Sequence, residues 1–143
     1  SRFAFPSPKH MEQENKKRTI LVIEDDNFLR QLLSEKLQTT GFEVEAAENG
    51  GAAFKVLEKM RPDCVVLDLL LPDLNGFEIL TAIRQKPETG NLPVVILSKL
   101  DQKEDMARAE ALGVQGYMVK ANFSLGEIVT KVWEVVEGKT PKA

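Results

Sequence analysis

From Thr19 onward the apolar residues alternate between two rhythms. Short compact segments, Ile20–Ile23, Glu43–Ala46, Cys64–Leu67, Pro93–Leu97 and Tyr117–Val119, read as strands. The runs that are apolar throughout predict strands buried on both faces. Longer segments between them carry apolar residues at helical spacing. Asn27–Thr40 places Leu29, Leu33 and Leu37 on one stripe, with Phe28 and Leu32 beside it, and ends at Gly41. A helix capped by Asn49 runs through Met60, with Ala52, Ala53, Val56, Leu57 and Met60 on its apolar face. Gly76–Lys86 turns Phe77, Leu80 and Ile83 inward, and Gln102–Leu112 is shorter, more polar and stops at Gly113. Leu125–Glu137 turns Leu125, Ile128, Val129, Val132 and Val136 inward, while Trp133 reads as a core-edge residue, the alternative being an exposed anchor.

Strands alternating with helices argue a parallel sheet covered on both faces. Right-handed crossovers leave few topologies. The pattern predicts an α/β fold, a three-layer (βα)5 sandwich of the flavodoxin-like kind with a five-stranded parallel sheet of order 2-1-3-4-5. That order sets the first and third strands side by side. The folded domain is expected over residues 19–137. Residues 1–18 read as a disordered lead-in, of which 1–10 look like a cloning scar, a native arm being the alternative. Residues 138–143 read as a tail or a cut linker.

Composition narrows the function. The 143 residues suffice for one domain with a real core. A net charge of -3 disfavours direct nucleic-acid binding. The single cysteine, Cys64, excludes an internal disulfide and any multi-cysteine metal site. No apolar run reaches the roughly 18 residues of a membrane span, and no signal-peptide core is present, so a cytoplasmic protein without membrane contact is expected. His10 is the only histidine, so the chain is not itself a phosphohistidine donor.

The strand ends carry the chemistry. Asp68 closes Cys64-Val65-Val66-Leu67, and Glu24-Asp25-Asp26 follows Ile20-Leu21-Val22-Ile23. Acids at neighbouring strand ends gather carboxylates at one edge of the sheet, where they repel one another and call for a cation. One carboxylate is then left to act as a nucleophile. Ser98, after the fourth strand, offers a hydroxyl, and Lys120, after the fifth, a positive charge on a long stem. Together they suit phosphoryl transfer, with Asp68 attacking phosphorus in line.

With these residues on the page, the chain resembles the receiver domain of two-component response regulators. The resemblance runs from about Thr19 to Glu137. It rests on Ile-Leu-Val-Ile-Glu-Asp-Asp, on Asp68 with Pro72 and Gly76, on Ser98 and on Lys120, separated by 43 residues from Asp25 to Asp68, 30 to Ser98 and 22 to Lys120. It implies a phosphoacceptor at Asp68 and a Mg2+ (or Mn2+) ion held by Asp25, Asp68 and the backbone carbonyl of Leu70, with Glu24 acting through water. Ser98 and Lys120 would bind the phosphoryl group, and Tyr117 would be the switch aromatic that turns inward when Ser98 is drawn to the phosphate. Asp26 falls after the acid pair and is expected to serve the first helix's N-terminus instead. The implied donor is a sensor histidine kinase or a histidine phosphotransfer protein. The implied readout is the surface of the fourth helix, fifth strand and fifth helix, with a homodimer through that surface as one option and the output partner unidentified. Such a chain would phosphorylate itself and hydrolyse slowly, without turning over an external substrate.

Two positions depart from the family. Ala121 stands where proline usually follows the lysine, often after a cis bond. A cis bond before alanine costs about 3–4 kcal/mol, so either strain is stored or the loop differs. Lys99 stands after Ser98, where the family usually has a small residue, and could screen the pocket or contact a partner. These departures motivate the rival reading, a degenerate receiver acting as a phosphorylation-independent interaction module. A metal-dependent phosphatase with an Asp nucleophile lacks its second Asp, which is Leu70 here. A flavin module would find its phosphate repelled by the acids.

Overall fold

The structure is a computed structural model and describes residues 17–138. The expectations placed on 1–16 and 139–143 lie outside the described residues. Strands β1 (Thr19–Ile23), β2 (Glu43–Ala47), β3 (Cys64–Leu67), β4 (Val94–Ser98) and β5 (Gly116–Val119) alternate with helices α1 (Asn27–Thr39), α2 (Gly50–Lys59), α3 (Gly76–Gln85), α4 (Lys103–Ala111) and α5 (Leu125–Val136). A 3-10 turn, Lys120–Asn122, follows β5. All strand pairs are parallel, in the order β2-β1-β3-β4-β5. This is the flavodoxin-like arrangement that the sequence predicts.

Strand side chains point alternately to the two faces. Leu21, Ile23, Val65, Leu67, Val94 and Ile96 pack on the face covered by α2, α3 and α4. Ile20, Val22, Cys64, Val66, Val95 and Leu97 pack on the face covered by α1 and α5. Only edge strand β2 is mostly exposed, which explains its two glutamates. Trp133 settles at the core edge, its ring stacked on Phe42 at 4.1 Å between centroids and its Nε1 donating to Thr40 Oγ1 at 3.1 Å.

Two packing expectations need correction. Phe28 is 74% exposed rather than flanking the inward stripe. It lies five residues before Leu33, about 140° around the helix at 3.6 residues per turn, so it cannot face the sheet. Val135, absent from the expected stripe of α5, is buried, while Val136 is half-buried.

The register aligns the carboxyl ends of the strands. Ile23 pairs with Leu67, so the residues just past β1 and β3, Glu24 and Asp68, emerge side by side. Ser98 pairs with Val119, which sets Lys120 at the same edge. Gly76 lets α3 start directly against the end of β3. A Cβ there would lie 2.5 Å from Leu69 Cα and 2.6 Å from Asp68 O, both backbone atoms that cannot rotate away. Gly76→Ala is therefore expected to destabilise the protein by about 1–3 kcal/mol, as overpacking does. Chemical denaturation checks this, and an unchanged midpoint would contradict the close approach.

Candidate functional site

Each acid at the crevice is placed by its backbone. The β1–α1 loop carries Glu24, Asp25 and Asp26. Asp26 caps α1, its carboxylate accepting from Leu29 N at 3.0 Å, and that bond first of all holds its pKa below the ordinary value. Its own N–H donates to Glu24 Oε2 at 3.1 Å. Arg30, one turn into α1, donates to Glu24 O at 2.8 Å and to Asp25 O at 3.4 Å, which fixes the loop from the helix side. Asp68 lies 3% exposed at the end of β3, with Oδ1 accepting from Leu70 N at 3.0 Å.

Lys120 joins the two strand ends. Its Nζ lies 2.9 Å from Asp68 Oδ2 and 2.6 Å from Glu24 Oε1. Glu24 is only 2% exposed, and the ion pair with Lys120 is the sole polar contact of Oε1 among the described residues. Burial would lower the Lys120 ammonium, but hydrogen bonds and charges from Glu24 and Asp68 outweigh it and hold the group above its ordinary pKa. Burial pushes Glu24 the other way, up to about 7. The Asp68 charge adds to that rise, while Lys120 and the Asp26 N–H oppose it.

Glu24, Asp25 and Asp68 each offer an oxygen within 4.8 Å of the others. With one ammonium among them the group keeps net negative charge, and a buried carboxylate with one ionic partner has acceptor capacity to spare. The set fits a hard divalent cation, which takes oxygen ligands. Asp25 is exposed, so such an ion would be open to solvent on that side.

The β3–α3 loop that carries Leu70 is clamped at its far end. Asp73 accepts from Gly50 N at 2.8 Å and Gly51 N at 2.9 Å, across from the start of α2, and Asn75 caps α3 by accepting from Phe77 N at 2.8 Å. Sequence reasoning missed the Asp73 clamp, because its partners lie more than twenty residues earlier and nothing local announces them. Ser98 is fully buried, its Oγ accepting from Leu100 N at 3.3 Å. Leu100 also accepts at its carbonyl from the Tyr117 hydroxyl at 2.8 Å. Leu100 thus bonds through its N–H to Ser98 and through its carbonyl to Tyr117. Burial first, and then nearby acids, raise the Tyr117 hydroxyl to about 12, so it stays protonated and able to donate.

The Lys120–Ala121 bond is trans, since no cis peptide occurs among the described residues. The loop therefore differs by taking the 3-10 turn at Lys120–Asn122, with no cis strain stored. Glu24, Asp25, Asp68 and Lys120 meet at one edge of the sheet, and Ser98 ends the adjacent strand at that edge. Tyr117 stands half-buried beside it.

The sequence profile of the response regulator receiver domain matches residues 20–132. The chain is 34% identical over 123 residues to the phosphate regulon transcriptional regulatory protein PhoB of Rhizobium meliloti, covering 86% of this chain and 54% of that protein. It thus spans about half the length of the relatives it matches. Among solved structures, the non-phosphorylated HemR receiver domain from Leptospira biflexa superposes with a TM-score of 0.79 at 31% identity, covering 89% of this chain and 100% of that one. The Mn2+-bound form of response regulator Rcp1 superposes with a TM-score of 0.76 at 29% identity, covering 88% and 99%.

The Glu24 shift has a consequence for stability. A carboxyl whose pKa rises from 4.5 to about 7 on folding holds its proton more tightly when folded. Its stabilising contribution is complete below 4.5 and is lost as pH rises through about 7. In chelator, the melting temperature should therefore fall across that window, and Glu24→Gln should remove the Glu24-dependent part of the fall. A variant with the wild-type pH profile would contradict the assignment.

Proposed function

The chain belongs to the response regulator receiver domain family, and from that premise we propose that Asp68 accepts a phosphoryl group from a phosphohistidine on a sensor kinase or a histidine phosphotransfer protein. The observation that carries the reading is the setting of Asp68. Its carboxylate is buried at a strand end, oriented by the Leu70 N–H and Lys120, and crowded by Glu24 and Asp25.

In the proposed step an Asp68 carboxylate oxygen forms a bond to phosphorus while the P–N bond to the donor imidazole breaks. The bonding pair stays on that nitrogen, and the donor ring, protonated on its other nitrogen, leaves as neutral imidazole. Asp25, Asp68 and the Leu70 carbonyl, with Glu24 acting through water, would hold a divalent cation, Mg2+ or Mn2+, which would supply neutralising charge for the phosphoryl oxygens. The solved form of Rcp1 that carries Mn2+ supports a cation of this class. Lys120, already on Asp68 Oδ2, is positioned to follow the charge as it spreads onto the phosphoryl group. Ser98 Oγ accepts from Leu100 N, which leaves its own hydrogen for a phosphoryl oxygen. Water then hydrolyses the acyl phosphate slowly.

The output we propose is conformational. Ser98 drawn to the phosphate would pull on the Leu100 N–H, and Tyr117, bonded to the carbonyl of the same residue, would reorient. The surface of α4, β5 and α5 would change with it, a population shift driven by local charge. The partner reading that surface, a second copy of the chain among the candidates, acts without membrane attachment or direct nucleic-acid contact by this domain, in the cytoplasm. In support, no helix among the described residues is long and apolar enough to cross a membrane. The matched relatives are transcriptional regulators, which favours a working receiver over a degenerate module.

Intact mass after incubation with acetyl phosphate and Mg2+ tests the proposal. One added phosphoryl group is expected, lost in Asp68→Asn and in chelator. No gain in the wild type, or a gain that survives in Asp68→Asn, would contradict it.

A further inference from the structure

The crevice that must admit an anionic donor is itself anionic. Glu24, Asp25 and Asp68 gather there, and Lys120, the cation among them, is already engaged by Glu24 and Asp68. A second cation follows the neighbouring strand end. Lys99 directly follows Ser98, the last residue of β4, just as Lys120 directly follows Val119, which pairs with Ser98. The two lysines therefore leave adjacent strands at the same edge. Lys99 is exposed, and no hydrogen bond or ion pair engages its ammonium among the described residues. An exposed, uncommitted ammonium carried by the strand end beside Lys120 is placed to meet an anion arriving from solvent.

We propose that Lys99 is a donor-binding residue that engages the terminal phosphoryl oxygens of the incoming phosphodonor at the crevice mouth. The proposal rests on the phosphoacceptor reading of Asp68. It names the recognised chemistry as the terminal phosphoryl dianion that P–O and P–N donors share, so the leaving group is left to other residues. A cation so placed also has a cost, because it repels any divalent cation bound to the neighbouring acids. Donor affinity and metal affinity should thus respond to Lys99 in opposite directions.

The experiment compares wild type with Lys99→Ala, Lys99→Arg and Lys99→Glu. Acetyl phosphate and phosphoramidate serve as P–O and P–N donors, with uptake followed by intact mass at several donor and salt concentrations. Mg2+ affinity is measured separately by calorimetry without donor. Lys99→Ala should raise the half-saturating concentration of both donors about two- to fivefold, with little change in limiting rate, and the difference should shrink as salt screens it. The same variant should bind Mg2+ more tightly. Lys99→Glu should exaggerate both changes, and Lys99→Arg should restore both.

Wild-type donor and Mg2+ affinities in Lys99→Ala would overturn the proposal and leave Asp68 as the acceptor. Weakening of both ligands without rescue by arginine would also overturn it, as lost structure. An effect confined to acetyl phosphate would refute recognition of the shared phosphoryl group. A wild type that takes up no phosphoryl group from either donor would bring down the acceptor reading and this one together.

Discussion

A single ammonium holds the two central strand ends together. Lys120 spans Glu24 and Asp68, which emerge from β1 and β3 with their charges largely removed from water. Burying carboxylates is unfavourable unless they are paired, and one lysine cannot neutralise the whole acid set. Burial first, and the Asp68 charge after it, raises the Glu24 pKa in spite of Lys120. The fold does not remove the frustration. It confines the frustration to one edge of the sheet and leaves that edge open to a cation and an anion in turn.

The rest of the structure keeps this edge in place. Arg30 ties the acid loop to α1, and Asp73 ties the β3–α3 loop to the start of α2. Gly76 permits α3 to begin against the Asp68 backbone. These contacts come from different faces of the sheet, so the acids are held from both sides. The Leu100 backbone is held differently, at its N–H and at its carbonyl. It is bonded at one end to Ser98 and at the other to Tyr117, in a loop with no helix behind it until α4 begins. Rigid acids beside a loop with few anchors suit a site in which a charge change is to be felt elsewhere.

Much of this was legible in the sequence, for identifiable reasons. β3 was predictable to the residue because a run buried on both faces leaves no ambiguity of period, and Asp68 ends it abruptly. The strand order followed from the acids, since only adjacency of β1 and β3 brings them together. The helix caps at Asp26 and Asn49 were local signals. What escaped was non-local or a matter of phase. The Asp73 clamp joins residues distant in sequence. Phe28 looked apolar enough for the core, but its angle around α1 turns it to solvent. The conformation after Lys120 could not be read from Ala121 alone, because two backbones satisfy the same strand end, and the trans bond with its 3-10 turn is the one adopted.

The central claim is that Asp68, and no other acid of the crevice, receives the phosphoryl group. Borohydride reduces an aspartyl phosphate to homoserine, which leaves a stable record at the modified position. Peptide mapping of the phosphorylated and reduced protein should find homoserine at position 68. Homoserine at Asp25 or Asp26 would contradict the account, because the geometry that orients Asp68 would then have no chemical role.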